Sequence, residues 1–133
     1  MSQENVEIVR RGFEAFNSGD MERILAFTHP AFETEVSPEL SAEPDVYRGH
    51  DGIRRYFQSF QDAMDEIRFE PERIWDVGES VVAVVRLTAK GRLSEIAVEQ
   101  RLAQVWTIRE GKALGVSTYA SLSEALASVG LAE

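Results

Sequence analysis

Apolar residues recur at helical spacing at both ends of the first half of the chain, and the period then shifts to that of strands. Val6, Val9, Phe13 and Phe16 mark a first helix from about Ser2 to Asn17, with Ser2 as its cap. Gly19 ends it, and Asp20 caps a short second helix through Phe27 that Pro30 breaks. A short strand, Phe32 to Ser37, and a loop from Pro38 to Pro44 follow. Asp51 is expected to cap a third helix whose stripe is Ile53, Tyr56, Phe57, Phe60 and Met64. The rest reads as strands. Ile67 to Val77 alternates imperfectly, residues 81–91 and 96–109 form long strands, and Ala113 to Ala120 forms the last. Gly111 in REGK suits a hairpin turn. Ser121 and Glu124 make a capping box for a terminal helix ending near Gly130. Helices first and a meander of strands afterwards predict an α+β fold.

The central strands are apolar on both sides. In 81–90 the odd positions Val81, Ala83, Val85, Leu87 and Ala89 make one face, while Val82, Val84, Arg86 and Thr88 make the other. In VEQRLAQVWTI, residues 98–108, the even positions place Gln100 and Gln104 among Val98, Leu102, Trp106 and Ile108. The helices cover one sheet face. The other, half-apolar face also needs cover, and a twofold homodimer through that outer face is the economical expectation. The alternative is a solvated face with scattered valines.

With 133 residues the chain is expected to be a single domain, 1–133. It has no cysteine, so thiol catalysis and thiolate metal sites are excluded. A net charge of −9 argues against a nucleic-acid partner. No apolar run is long enough to span a bilayer and the N-terminus lacks a signal-peptide core, so no membrane association and a cytoplasmic location are expected. The two histidines, His29 and His50, lack ligand spacing, so no metal is expected. No Walker loop or nucleophile elbow is present, and no cofactor is expected.

Four features occur in order: AFNSGDMERILAFTHPAFETEV, YRGHDGIRRYF, QVWTIREGKALGVSTYASLSEAL and the succession of helices and strands. Together they resemble the SnoaL-like polyketide-cyclase family of the nuclear transport factor 2-like superfamily, over nearly the whole chain. The resemblance implies a cone-like, cystatin-like architecture: a curved mixed or antiparallel sheet wrapped around N-terminal helices, with an apolar pocket inside. It also implies dimerisation through the outer sheet face. Ketosteroid isomerase, a distant relative with this fold, uses a tyrosine on the first helix, a carboxylate on the first strand and an acid on the long strand. Laid on this sequence, those positions are Gly12, Glu35 and Gln104.

The implied catalytic pair is therefore Glu35, moving a proton, and Gln104, steadying an oxyanion as a neutral donor. Phe16, Phe27, Phe57, Leu87, Gln100, Leu102 and Trp106 are the implied ligand-binding residues. The expected partner is a small apolar, carbonyl-bearing molecule, and the chemistry is of isomerase, cyclase or hydrolase type. Glycine at 12 and glutamine at 104 depart from the isomerase pattern, so efficient steroid-type isomerisation is not expected. For Glu35 the competing reading is a solvent-facing carboxylate that shares a face with Glu33. For Gln104 it is an amide bound to backbone or water. His29 is read either as a group at the pocket mouth or as a helix-terminus cap. The alternative to an enzyme is a non-catalytic ligand-binding or dimerisation module. In such a module Gln104→Leu would change stability alone, even upward.

Overall fold

The computed structural model describes residues 2–36, 45–78 and 80–130, and the side chains of residues 2, 3, 35, 36, 45 and 63 lie outside that description. The expected loop Pro38 to Pro44 and the capping side chain of Ser2 therefore fall outside the described residues. The order is α1 (Ser2–Ser18), α2 (Met21–Phe27), β1 (Thr28–Val36), β2 (Asp45–Arg48), α3 (Gly49–Ala63), β3 (Met64–Val77), β4 (Ser80–Gly91), β5 (Ala97–Arg109), β6 (Lys112–Tyr119) and α4 (Leu122–Ser128). The strands form one open sheet in the order β2-β1-β6-β5-β4-β3. It is mixed, because β1 runs parallel to β6 and the other pairs are antiparallel. Among the described residues no helix is long and apolar enough to cross a membrane.

Local chemistry sets most boundaries. Gly19, at φ 73°, ends α1 in the left-handed region that glycine tolerates. Asp20 then caps α2 by accepting from the Glu22 amide at 3.0 Å. Ser121 likewise accepts from the Glu124 amide to open α4. Glu110 and Gly111 both take positive φ, as a two-residue hairpin with the strands' own twist requires.

Several boundaries differ from expectation, and β3 starts at Met64, expected on the stripe of the third helix, instead of at Ile67. The strand β2 is new: four residues are too few to show a period, and pairing with β1 creates it. Its Arg48 joins Glu33 across the ladder at 2.8 Å. Arg48, not Asp51, is then the N-cap residue of α3, and it makes no side-chain cap bond. Asp51 sits in the first turn and pairs with Arg54 instead. The first strand also begins earlier, at Thr28, with Pro30 in the irregular stretch between the Thr28–Ala113 and Glu33–Gly115 pairs.

The sheet separates two apolar layers. On the inner side Val9, Phe13, Ile24, Phe32, Ile53 and Phe57 from α1, α2, β1 and α3 pack on Val81, Ala83, Val85, Leu87, Leu102 and Trp106. The odd positions of β4 and the even positions of β5 thus face the helices, with Ala83 opposite Gln104 and Val85 opposite Leu102. On the outer side α4 lays Ala125 against Val82, Ala103 and Val105, flanked by Trp75, Leu122 and Leu126. Part of the apolar outer stripe, Val82, Ala103 and Val105, is thus covered from within the chain. The rest of that face carries an ion-pair lattice. Arg86 bridges Glu70 and Glu99, and Arg101 pairs with Glu72. The Arg101 and Arg86 guanidiniums hold Glu72 and Glu99, respectively, below the usual carboxylate range.

Candidate functional site

Between the inner sheet face and helices α1 and α3 lies a small cavity of about 20 Å³. Its wall is formed by Gly12, Phe13, Phe16, Phe32, Ile53, Tyr56, Phe69, Gln104, Trp106 and Val116. Gln104 is the polar carboxamide in this apolar lining and is only 4% exposed. The Trp106 indole N–H donates to Gln104 Oε1 at 3.1 Å. An indole can only donate, so it holds the amide's oxygen and fixes which end of the carboxamide is the donor. The Nε2 end has one partner among the described residues, the Thr118 hydroxyl at 3.4 Å on the neighbouring strand. The second N–H of the Gln104 amide has no further partner among the described residues.

Trp106 is itself held edge-on by Phe13 and Phe27, each with its ring centroid at 5.7 Å. Phe27 reaches Trp106 only because residue 12 is glycine. A Cβ built at Gly12 would lie 2.2 Å from the Phe27 ring. At Gly12, the position where the resemblance implied a tyrosine, a phenylalanine ring from α2 fills the space.

Tyr56 closes another side. Burial, and secondarily Tyr47, push its phenol up to about 12, so it stays protonated through the physiological range. The unfolded chain ionises this phenol first, so stability is expected to fall as pH rises from about 10 towards 12. The loss should be roughly 2–3 kcal/mol. Urea denaturation at stepped alkaline pH checks this, and Tyr56→Phe should remove that component.

A second space, an open groove of about 630 Å³, adjoins the cavity where α1 and α3 end against the start of β3. Phe57, Phe60 and Met64 line it, with Asp62, Asp65 and Glu66. Arg92 is tied to Asp65 at 3.1 Å and to the Gln61 carbonyl.

The structure brings together only part of the expected set. Gln104, Trp106 and Phe16 line the cavity, Phe16 and Phe57 line the groove, and Phe27 backs Trp106. Leu87 and Leu102 are buried core residues that line neither space. Gln100 departs from expectation: it shares parity with Gln104 but is exposed, as are Ala97, Glu99 and Arg101 at the same end of β5. The Glu35 backbone pairs with Val46, and its side chain lies outside the described residues. His29 is away from both spaces, its Nδ1 accepting from the Ala31 amide and its Nε2 donating to Glu110 at 3.1 Å. Tyr56, whose hydroxyl is one that the sequence offers to the cavity, completes the wall with Phe13, Phe32, Ile53, Phe69 and Val116, which were not expected there. Phe13 and Tyr56 stood on the recognised helical stripes, which was the available signal.

A model of the SnoaL-like domain matches residues 9–116. The chain belongs to the SnoaL-like domain family. Solved structures agree in fold. A nuclear transport factor 2-like protein of unknown function from Burkholderia pseudomallei K96243 is 20% identical over 96% of this chain and 98% of its own, with a TM-score of 0.77. A candidate polyketide cyclase from Sinorhizobium meliloti is 20% identical over 84% of this chain and 93% of its own, with a TM-score of 0.65. SalBIII is described as an epoxide hydrolase/cyclase-like enzyme with a role in pyran ring formation in the polyether salinomycin. It is 25% identical over 90% of this chain and 92% of its own, with a TM-score of 0.74. No curated protein matches this SnoaL-like chain in sequence.

Proposed function

We propose that this SnoaL-like protein binds a small, apolar, carbonyl-bearing molecule whose carbonyl end enters the inner cavity as its aromatic wall gives way, with the Gln104 amide donating to the carbonyl. The observation that supports this reading is the Trp106–Gln104 hydrogen bond, which fixes the other end of the carboxamide as a donor in a largely apolar wall that also holds the Tyr56 phenol. A donor fixed in a water-poor site favours a guest acceptor without reorganising.

The matched pair acetophenone and isopropylbenzene tests it, since the two share shape and differ in the acceptor. The ketone is expected to bind about tenfold more tightly, the worth of one good hydrogen bond. The Trp106 indole N–H resonance reports occupancy. Gln104→Leu should level the two affinities. It should also lower stability by about 1–3 kcal/mol, because the buried indole N–H loses its acceptor. Equal affinities in the unaltered protein would overturn the reading.

Turnover needs a proton carrier as well. The described lining of the cavity holds no carboxylate, and the Glu35 side chain lies outside the described residues. The catalytic extension of the proposal assigns proton transfer to Glu35 and oxyanion support to Gln104. In that extension Glu35→Gln abolishes turnover while leaving ketone binding in place.

A further inference from the structure

A third space, of about 470 Å³, runs between α1, α2 and the turn at Gly111. It shares no described lining residue with the inner cavity or the groove. Its volume is that of an ordinary small-molecule site. Helical spacing builds it. Ile8, Arg11 and Ala15 stand at i, i+3 and i+7 on α1, and Arg23, Ala26 and Phe27 stand at i, i+3 and i+4 on α2. Each helix thus turns two apolar side chains and one guanidinium towards the same trough. The apolar strip from Ile8 to Ala15 is about 10 Å long, at ~1.5 Å per residue. Phe27 lines the trough and touches Trp106, yet does not line the inner cavity.

The two guanidiniums set this space apart. The chain carries a net charge of −9, and seven of its twelve arginines pair with carboxylates among the described residues. Arg11 and Arg23 form no ion pair among the described residues, although Glu14, one turn on from Arg11, also lines the trough. Two cations and one carboxylate leave the lining with one net positive charge. We propose that this trough binds the anion of an aliphatic carboxylic acid. Its carboxylate lies between Arg11 and Arg23, whose planar forks match a carboxylate's two oxygens. Its chain lies extended along the apolar strip, over Ala26 and the outer side of Phe27. This site is separate from the carbonyl site proposed above and stands or falls independently of it.

The test compares decanoate, kept below its micellar range, with decyltrimethylammonium, which has the same chain and the opposite charge, and with acetate, which has no chain. Titration calorimetry gives the affinities, and methyl resonances give the place. Decanoate is expected to shift the Ile8 and Ala26 methyls and to bind at least about tenfold more tightly than either control. The double variant Arg11→Gln/Arg23→Gln should weaken decanoate about tenfold, the worth of a charged hydrogen bond. Glu14→Gln should strengthen it about threefold, by removing one exposed like charge. Ala26→Trp fills the strip and should abolish binding. All four of these positions are exposed, so the variants should fold. Equal affinity for the two decyl compounds, or an unchanged affinity in the double variant, would overturn the site. So would an absence of binding at roughly millimolar decanoate. Shifts at the Trp106 indole N–H with none at Ile8 and Ala26 would put the chain in the inner cavity and overturn it as well.

Discussion

Replacing Trp106 by alanine is expected to lower stability by about 3–5 kcal/mol, the usual cost of emptying a buried aromatic site. That is a large part of the 5–15 kcal/mol typical of a whole domain. Three losses combine. The ring leaves a void between Phe13 and Phe27, both edge contacts vanish, and Gln104 Oε1 loses its donor. Urea denaturation followed by circular dichroism measures the sum. Trp106→Phe separates the terms. It keeps most of the volume and removes the N–H, so the loss should shrink to about 1–3 kcal/mol. In that variant the carboxamide is free to turn its oxygen inward, and the preference for acetophenone over isopropylbenzene should disappear with the pocket still filled. A Trp106→Phe protein that keeps full ketone selectivity would show that the indole does not orient the amide.

Gly12→Tyr, which would restore the relative's side chain, is expected to cost about 3 kcal/mol, the upper end of overpacking. The first atom of any side chain at 12 already overlaps the Phe27 ring, with three ring carbons within 2.6 Å of the Cβ position. Phe27 would have to leave Trp106 to make room. The double variant Gly12→Tyr/Phe27→Ala should therefore be more stable than the sum of the single effects by about 1–3 kcal/mol. Thermal or chemical denaturation of the four proteins completes the cycle. Simple additivity would mean that the two side chains do not compete for one space.

The sequence revealed faces better than depths. The long strands sample their period many times, so the two faces of β4 and β5 were legible in the sequence, while the register that sets Ala83 opposite Gln104 was not. Caps at Asp20 and Ser121 were legible because a single short side chain meets an unpaired amide close in sequence. Parity could not show where the helical cover stops, and so it placed Gln100 with Gln104 although Gln100 is exposed. The cover supplied by α4 was also hidden, because a seven-residue helix records that it has an apolar side but not which surface receives it. Gly12 read as a missing tyrosine, while its meaning is tertiary: it makes room for a ring from another helix. The expectation that Gln104→Leu might stabilise took no account of the Trp106 N–H, which donates to that oxygen.

One contact outside the chemistry has a consequence for how molecules meet. The sheet ends at β3, whose free margin would otherwise offer backbone donors and acceptors to a passing chain. Asn17 takes both backbone groups of Phe69, and register shifts at 65/68 and 71/73 break the regular rungs on either side. The amide of one helix residue thereby occupies the two backbone groups that an incoming strand would need at Phe69, which works against fibrillar stacking at that point of the margin.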